Sequence, residues 1–110
     1  MKLSESPFNN IKSGEKIIEV RLNDKKRQLV KVGDDIEFSK LPACEENVLV
    51  KVVKLDKFED FNSLLEKYPD KLGLSRFKSK DEWVNKIREI YSSEEEQKYR
   101  VLAIHIQLIE

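Results

Sequence analysis

The sequence predicts an α+β domain in which helices lie apart from a mainly antiparallel β-sheet. Residues 16–22 and 101–109 alternate between two sets of side chains, which is typical of strands. Residues 58–68 and 83–91 instead repeat apolar side chains at helical spacing. A short helix, several strands, two or three helices and a closing strand therefore follow one another along the chain, an order that fits segregated helices beside one sheet.

The first predicted helix covers residues 7–11, with Ser4 or Ser6 as its N-cap and Gly14 as its stop. The strand that follows, residues 16–22, places Ile18, Val20 and Leu22 on one face. Ile17, Glu19 and Arg21 fall on the opposite face, so Glu19 and Arg21 are expected to be neighbours.

The middle of the chain reads as further β structure. Asn23 and Asp24 predict a turn, residues 27–32 a short edge strand, and Gly33 with Asp34 a second turn. Residues 48–55 are rich in β-branched side chains of both parities, which predicts the longest strand of the sheet.

Helical spacing predicts two or three helices before the closing strand. Ser79 with Glu82, and Ser93 with Glu96, have the spacing of capping boxes at the starts of the later two. Pro69 is expected to end the first. The apolar side chains that define the first helix are Phe58, Phe61, Leu64, Leu65 and Tyr68.

Length and charge limit the classes of function. A chain of 110 residues is long enough for one core, so residues 1–110 are expected to form a single domain. The 21 basic residues balance 21 acidic ones, which leaves no overall field to attract a polyanion. Any contact with nucleic acid must come from a local patch.

The cysteine and histidine counts argue against a disulfide and against a zinc site. Cys44 is the one cysteine and His105 the one histidine, so no ligand cluster with zinc spacing exists. The opening residues lack the pattern of a signal peptide, and apolar runs fall well short of the roughly 18 residues that span a bilayer. We expect a soluble, cytoplasmic protein without metal, cofactor or membrane partner.

One tight cluster has residue types suited to recognition: Gly14, Lys16, Glu19 and Arg21, spaced as GxKxxExR. Glycine allows positive φ and a close backbone approach, although Gly14 also fits a helix C-cap. A glutamate accepts two hydrogen bonds and an arginine presents a planar fork of donors, so Glu19 and Arg21 could hold a nucleobase edge or a phosphate. A same-face ion pair and a solvated Lys16 are the alternatives.

This motif and the surrounding segment GEKIIEVRLNDKKRQLVKVGDDIEF resemble the ASCH family, small domains of the PUA-like superfamily. The resemblance covers nearly the whole chain. It implies a closed or nearly closed, mainly antiparallel β-barrel with helices beside a cleft. It also implies RNA binding or, in some members, hydrolysis of modified nucleosides.

An enzyme is the alternative that this resemblance leaves open. The related amidohydrolases that act on N4-acetylcytidine carry a lysine and, three residues on, a threonine nucleophile; here Lys16 fits, but Glu19 replaces the threonine. An acylated carboxylate is a far more labile intermediate than an ester, which argues against that reaction. A glutamate from the helical region, such as Glu66, and a ribonuclease activity in the same cleft both stay open.

A second group of candidates lies outside the motif. Residues 25–27 (Lys25, Lys26 and Arg27) form a basic turn next to the motif strand, and Arg76 and Lys78 flank Phe77. Together they could form a basic rim with an aromatic platform for single-stranded nucleic acid. Solvated charge and a core phenylalanine are the alternatives. Trp83 is expected to be a core residue, and His105 to be structural or on the surface.

The sequence therefore favours an RNA- or nucleotide-binding module whose site contains Gly14, Lys16, Glu19, Arg21 and Arg76. A protein-interaction module, with the charged residues as a structural network, is a third possibility.

Overall fold

One curled sheet dominates the computed structural model, which describes residues 1–69 and 79–109. Its strands are β1 (Lys2–Leu3), β2 (Ile18–Leu22), β3 (Asp35–Lys40), β4 (Asn47–Phe58) and β5 (Val101–Leu108). They lie in the order β1-β3-β4-β5-β2, with β1 parallel to β3 and every other pair antiparallel. The predicted α+β, PUA-like class is confirmed, and the sheet curls into a half-barrel where the resemblance implied a closed or nearly closed barrel. β4 is the longest strand, as predicted, whereas β1 was not predicted.

Within the described residues, four α-helices accompany this sheet: α1 (Glu5–Lys12), α2 (Phe61–Lys67), α3 (Lys80–Ile90) and α4 (Ser93–Tyr99). Ser4 is the N-cap residue of α1, and Gly14 follows its end with a φ of +85°. Ser79 caps α3 by accepting a hydrogen bond from the backbone N–H of Glu82. The predicted starts of these two helices are thereby confirmed to within a few residues.

The predicted edge strand at residues 27–32 is wrong, because Arg27–Leu29 form a 3-10 helix instead. Asp24 causes the difference: its carboxylate accepts a hydrogen bond from Arg27 N at 3.0 Å, and its carbonyl accepts one from Gln28 N at 2.9 Å. An aspartate that caps the chain in this way diverts it from an extended path.

Two helix starts also differ from their predicted positions. Phe58 ends β4, and α2 begins at Phe61 because Asp60 accepts a hydrogen bond from Ser63 N at 2.7 Å. The capping box of α4 joins Ser92 to Glu95, one residue before the predicted pair. Both serines at this site have a glutamate three residues later, so the spacing alone does not choose between them.

The sheet buries a hydrophobic cluster on each face. Along β5, Leu102, Ile104 and Ile106 contribute to the first cluster, which α1 covers. Val101 and Ala103 have the opposite parity and contribute to the second cluster, which contains residues of α2 and α3. Helices therefore cover both faces of one half-barrel.

The alternation predicted for β2 is confirmed. Ile18, Val20 and Leu22 belong to the second cluster. Arg21 has the opposite parity, and its Nη2 donates to the carbonyl oxygen of Lys2 at 3.4 Å. A side chain of one edge strand thus reaches the backbone of the other, and we call the gap between β1 and β2 the seam.

Candidate functional site

A cleft of about 350 Å³ lies along the seam. Lys16 and strand β2 form one side of it, the start of the chain through Pro7 contributes another, and the side chains of α3 cover it. This volume is within the range of roughly 300–1,000 Å³ that is usual for small-molecule sites. The edges of the sheet and one helix therefore create a concave surface next to the predicted motif.

Glu19 joins the charged groups of this cleft. It is 3% exposed, and its Oε1 accepts a hydrogen bond from Lys16 Nζ at 2.9 Å and another from the backbone N–H of Val20 at 3.0 Å. Its Oε2 lies 3.3 Å from Arg21 Nη2. One carboxylate consequently fixes two cationic side chains.

The pKa of Glu19 is lowered although the group is buried. Burial alone would raise the pKa, but the charges of Lys16 and Arg21 and the hydrogen bonds from Lys16 and Val20 lower it by more. Glu19 is therefore an anion at neutral pH, and it stabilises its two partners in fixed positions.

Lys2 and Lys86 also line the cleft, and the sequence analysis missed both. With Lys16 and Arg21 they make four cationic side chains against the single carboxylate of Glu19 among the lining residues that the structure describes. Lys86 has a weak sequence signal, since it lies three residues after Trp83 on the same helix. Lys2 had none, because β1 was not predicted.

The covering wall is apolar, with aromatic rings that are anchored in the core. Trp83 is 6% exposed and meets Phe61 edge to face, with ring centroids 6.4 Å apart. Tyr91 stacks on the same Phe61 ring at 5.7 Å. The prediction that Trp83 is a core residue is confirmed, although part of this residue also borders the cleft. Ile90, at 63% exposure, leaves an apolar edge at the same wall.

The other predicted site residues have different positions. Gly14 lies outside the cleft and lines a smaller depression, of about 270 Å³, beside Ile11 and Ile17. A methyl group on its Cα would meet no atom within 4 Å, so its positive φ serves the turn after α1 and not a close approach. Arg76 and Phe77 lie outside the described residues.

His105 belongs to a separate polar network beside α2. Asp56 Oδ2 accepts a hydrogen bond from the hydroxyl of Tyr68 at 2.5 Å and lies 2.8 Å from His105 Nε2. Burial alone would raise the pKa of Asp56, but the hydrogen bonds from Tyr68 and His105, together with the charges of Lys54 and Lys67, lower it by more. These contacts attach the end of α2 to β4 and β5, in agreement with a structural role for His105.

Within residues 1–69 and 79–109, no three His, Cys, Asp or Glu side chains lie close enough together to hold a metal ion. None of the helices described there is long and apolar enough to cross a bilayer.

Comparisons with known proteins agree with this architecture. The crystal structure of the hypothetical protein PH0355 is 37% identical, with a TM-score of 0.83 over 99% of this chain and 100% of that one. The solution structure of PF0455 from Pyrococcus furiosus is 32% identical, with a TM-score of 0.71 over 100% and 99%.

A more distant structure shows the fold alone. The ASCH protein from Zymomonas mobilis is 16% identical, with a TM-score of 0.68 over 97% of this chain and 64% of that one. No curated protein matches the sequence. The model of the ASCH domain matches residues 1–110. The chain therefore belongs to the ASCH domain family.

Proposed function

We propose that this ASCH domain binds RNA or a nucleotide-like ligand in the cleft at the seam. ASCH domains are generally thought to bind RNA. The observation that carries the proposal is the composition of the cleft: four cationic side chains and one carboxylate line it, in a protein whose overall charge is zero. A local excess of positive charge attracts a phosphate, which the protein as a whole does not.

The arrangement of the charges supports binding of an extended anion. Glu19 fixes Lys16 and Arg21 in position. Lys86 is exposed at the wall, and its one ion-pair partner among the described residues is Glu89, at 3.2 Å. A fixed pair of cations loses little side-chain entropy when a ligand binds. The exposed lysine adds attraction that depends on ionic strength.

The apolar wall supports a ligand that also carries a flat or apolar part. Ile87, Ile90 and Tyr91 border the cleft across from the charged strand. Nucleobases are flat and bind through stacking and apolar contact when they are unpaired. Single-stranded RNA is therefore the expected form of the ligand.

Fluorescence anisotropy with a labelled single-stranded RNA hexamer tests the proposal. We expect Lys86→Gln to weaken binding about threefold to tenfold at low salt, because it removes one exposed charge of the cleft. Lys51→Gln is the matched control: Lys51 is similarly exposed and pairs with Asp35, but it lies on β4 away from the cleft. The affinity of the Lys51→Gln variant for the RNA hexamer is expected to equal that of the wild type.

The outcomes separate the proposed site from general charge attraction. Equal losses of RNA affinity in the two lysine variants would contradict the assignment of the cleft as the binding site, since they would show that any exposed lysine contributes to binding. Absence of RNA binding by the wild-type protein would contradict the function itself and favour the protein-interaction hypothesis.

A further inference from the structure

A second cavity of about 440 Å³ lies by the 3-10 helix and shares no lining residue with the cleft. The turn after β2 supplies Asn23, and the 3-10 helix supplies Arg27 and Gln28. β4 contributes Lys57 and Leu55. We call this the second cavity.

Two polar atoms on the residues of this cavity are buried without a hydrogen-bond partner among the described residues: Nε of Arg27 and Oδ1 of Asn23. A buried donor or acceptor that is left unpaired costs about 1–3 kcal/mol, so such atoms are uncommon in folded proteins. The side chains of Asn23 and Arg27 are thus incompletely paired within the protein, although these two atoms themselves lie too deep for a ligand in the cavity to contact.

The position of Arg27 is fixed by contacts behind the cavity. Asp24 accepts a hydrogen bond from its backbone N–H at 3.0 Å and lies 3.6 Å from its Nη1. The side chain of Arg27 is 17% exposed, so little of it is in contact with solvent. The guanidinium is thereby oriented before any ligand arrives, which lowers the entropic cost of binding.

The charge and shape of the cavity indicate the ligand class. Arg27 and Lys57 are cationic, and none of the described residues that line the cavity carries a carboxylate. Leu102, which is 2% exposed, forms an apolar floor with Leu55 and Val30. A ligand that suits these walls has an anionic group for the two cations and an apolar or planar body for the floor.

We propose that the second cavity binds a nucleotide-sized anion, with its phosphate on Arg27 and Lys57 and its base over Leu55 and Leu102. The site is separate from the cleft and holds whether or not the cleft binds RNA.

A titration of the isotope-labelled, full-length protein with cytidine 5′-monophosphate, followed by NMR, tests this site. The expected result is a saturable shift of the Arg27 Nε–Hε and Asn23 side-chain amide signals. Lys57→Gln is expected to weaken this binding at least tenfold, because it removes one of the two cations that hold the phosphate. Lys57 is exposed, so its substitution leaves the fold intact. Lys51→Gln, on the same strand, is the matched control and is expected to change nothing.

Two further arms define the ligand and separate the two sites. Cytidine without phosphate is expected to give no saturable shift of Arg27, and an equal shift would overturn the anion assignment. Arg21→Ala disables the proposed RNA cleft but is expected to leave the Arg27 shifts unchanged. Shifts confined to cleft residues, or unaltered binding in Lys57→Gln, would overturn the second site without bearing on the first.

Discussion

Glu19 is the residue on which the charged side of the cleft depends. It lies at 3% exposure with both carboxylate oxygens occupied, one by Lys16 and Val20 and the other by Arg21. A residue that holds its neighbours so completely is better suited to positioning them than to attacking a ligand. The acidic residue that replaces the expected threonine thus fits a binding site more readily than an acyl-transfer site.

Replacing Glu19 should destabilise the fold. Glu19→Gln removes the charge that compensates Lys16 and Arg21, whose side chains are 12% and 16% exposed. Removing one partner of a buried pair costs about 3 kcal/mol, the lower end of the usual range, because these cations retain some contact with water. Urea denaturation at pH 7 measures the change in the free energy of unfolding.

An exposed glutamate provides the control for that measurement. Glu45→Gln has the same chemistry outside the cleft, and its free energy of unfolding is expected to lie within about 0.5 kcal/mol of the wild type. A Glu19→Gln protein as stable as Glu45→Gln would show that the buried pairing adds no net stability.

The lowered pKa of Glu19 predicts a specific dependence of stability on pH. Its contribution is fully present above its pKa in the unfolded chain, about 4.3, and is lost as pH falls through the lower folded-state pKa. The difference in stability between wild type and Glu19→Gln should therefore be constant from pH 7 to about 5 and shrink below that. Urea titrations from pH 7 to 3 measure it, and a constant difference throughout would contradict the lowered pKa.

Residue parity was the most informative signal for this site. The alternation in residues 16–22 predicted that Glu19 and Arg21 are neighbours, because side chains two residues apart on a strand share a face, and this prediction is confirmed. The ammonium of Lys16 reaches the same carboxylate although Lys16 precedes β2 and has the other parity. That contact depends on how the chain bends before the strand, which no local pattern encodes.

At the scale of elements, the start of α4 provides a sharp test between two neighbouring serines. Ser92 accepts a hydrogen bond from Glu95 N at 3.1 Å, and Glu95 Oε1 accepts one from Ser92 N at 3.1 Å. Ser92→Ala should therefore cost about 1 kcal/mol, the usual value of an N-cap. Thermal and urea unfolding measure the loss.

Ser93→Ala is the matched control, because Ser93 is the first residue inside the helix. Alanine is the better helix former at that place, so the variant should be neutral or slightly more stable. A larger loss for Ser93→Ala than for Ser92→Ala would return the capping box to the pair that the sequence pattern predicted.

Elements with strong local signals were predicted well, and those set by distant contacts were not. β4 has a long run of β-branched side chains and α3 has a periodic apolar pattern, and both elements are present in the structure. β1 is two residues long and exists because Lys2 and Leu3 pair with Ser39 and Lys40 of β3. Such a pairing joins residues far apart in the sequence, so its pattern cannot be read from the strand alone.

For the whole molecule, the sheet order explains why the cleft lies where it does. β1 and β2 are adjacent to α1 in sequence but occupy opposite edges of the sheet, and the curl brings those edges together at the seam. Alternation predicted strands but not their order, and the barrel itself was implied only by the family resemblance. The organisation of residues 1–110 as a single domain remains a prediction.

The charge distribution predicts a moderate dependence of RNA binding on salt. If the four cations of the cleft each neutralise a phosphate of a single strand, the slope of log K against log salt should be near −3. Lys86→Gln should reduce its magnitude by about 0.7. Anisotropy titrations from 50 to 200 mM salt measure both slopes, and a slope near zero would indicate an interface without phosphate contacts.

The most direct test of the central claim is an NMR map of the wild-type protein titrated with a single-stranded RNA hexamer. We expect saturable shifts concentrated at Lys16, Glu19 and Arg21 on one side of the cleft and at Lys86 and Ile90 on the other. Saturable shifts that leave these residues unchanged and map to another surface would contradict the assignment of the cleft as the RNA site.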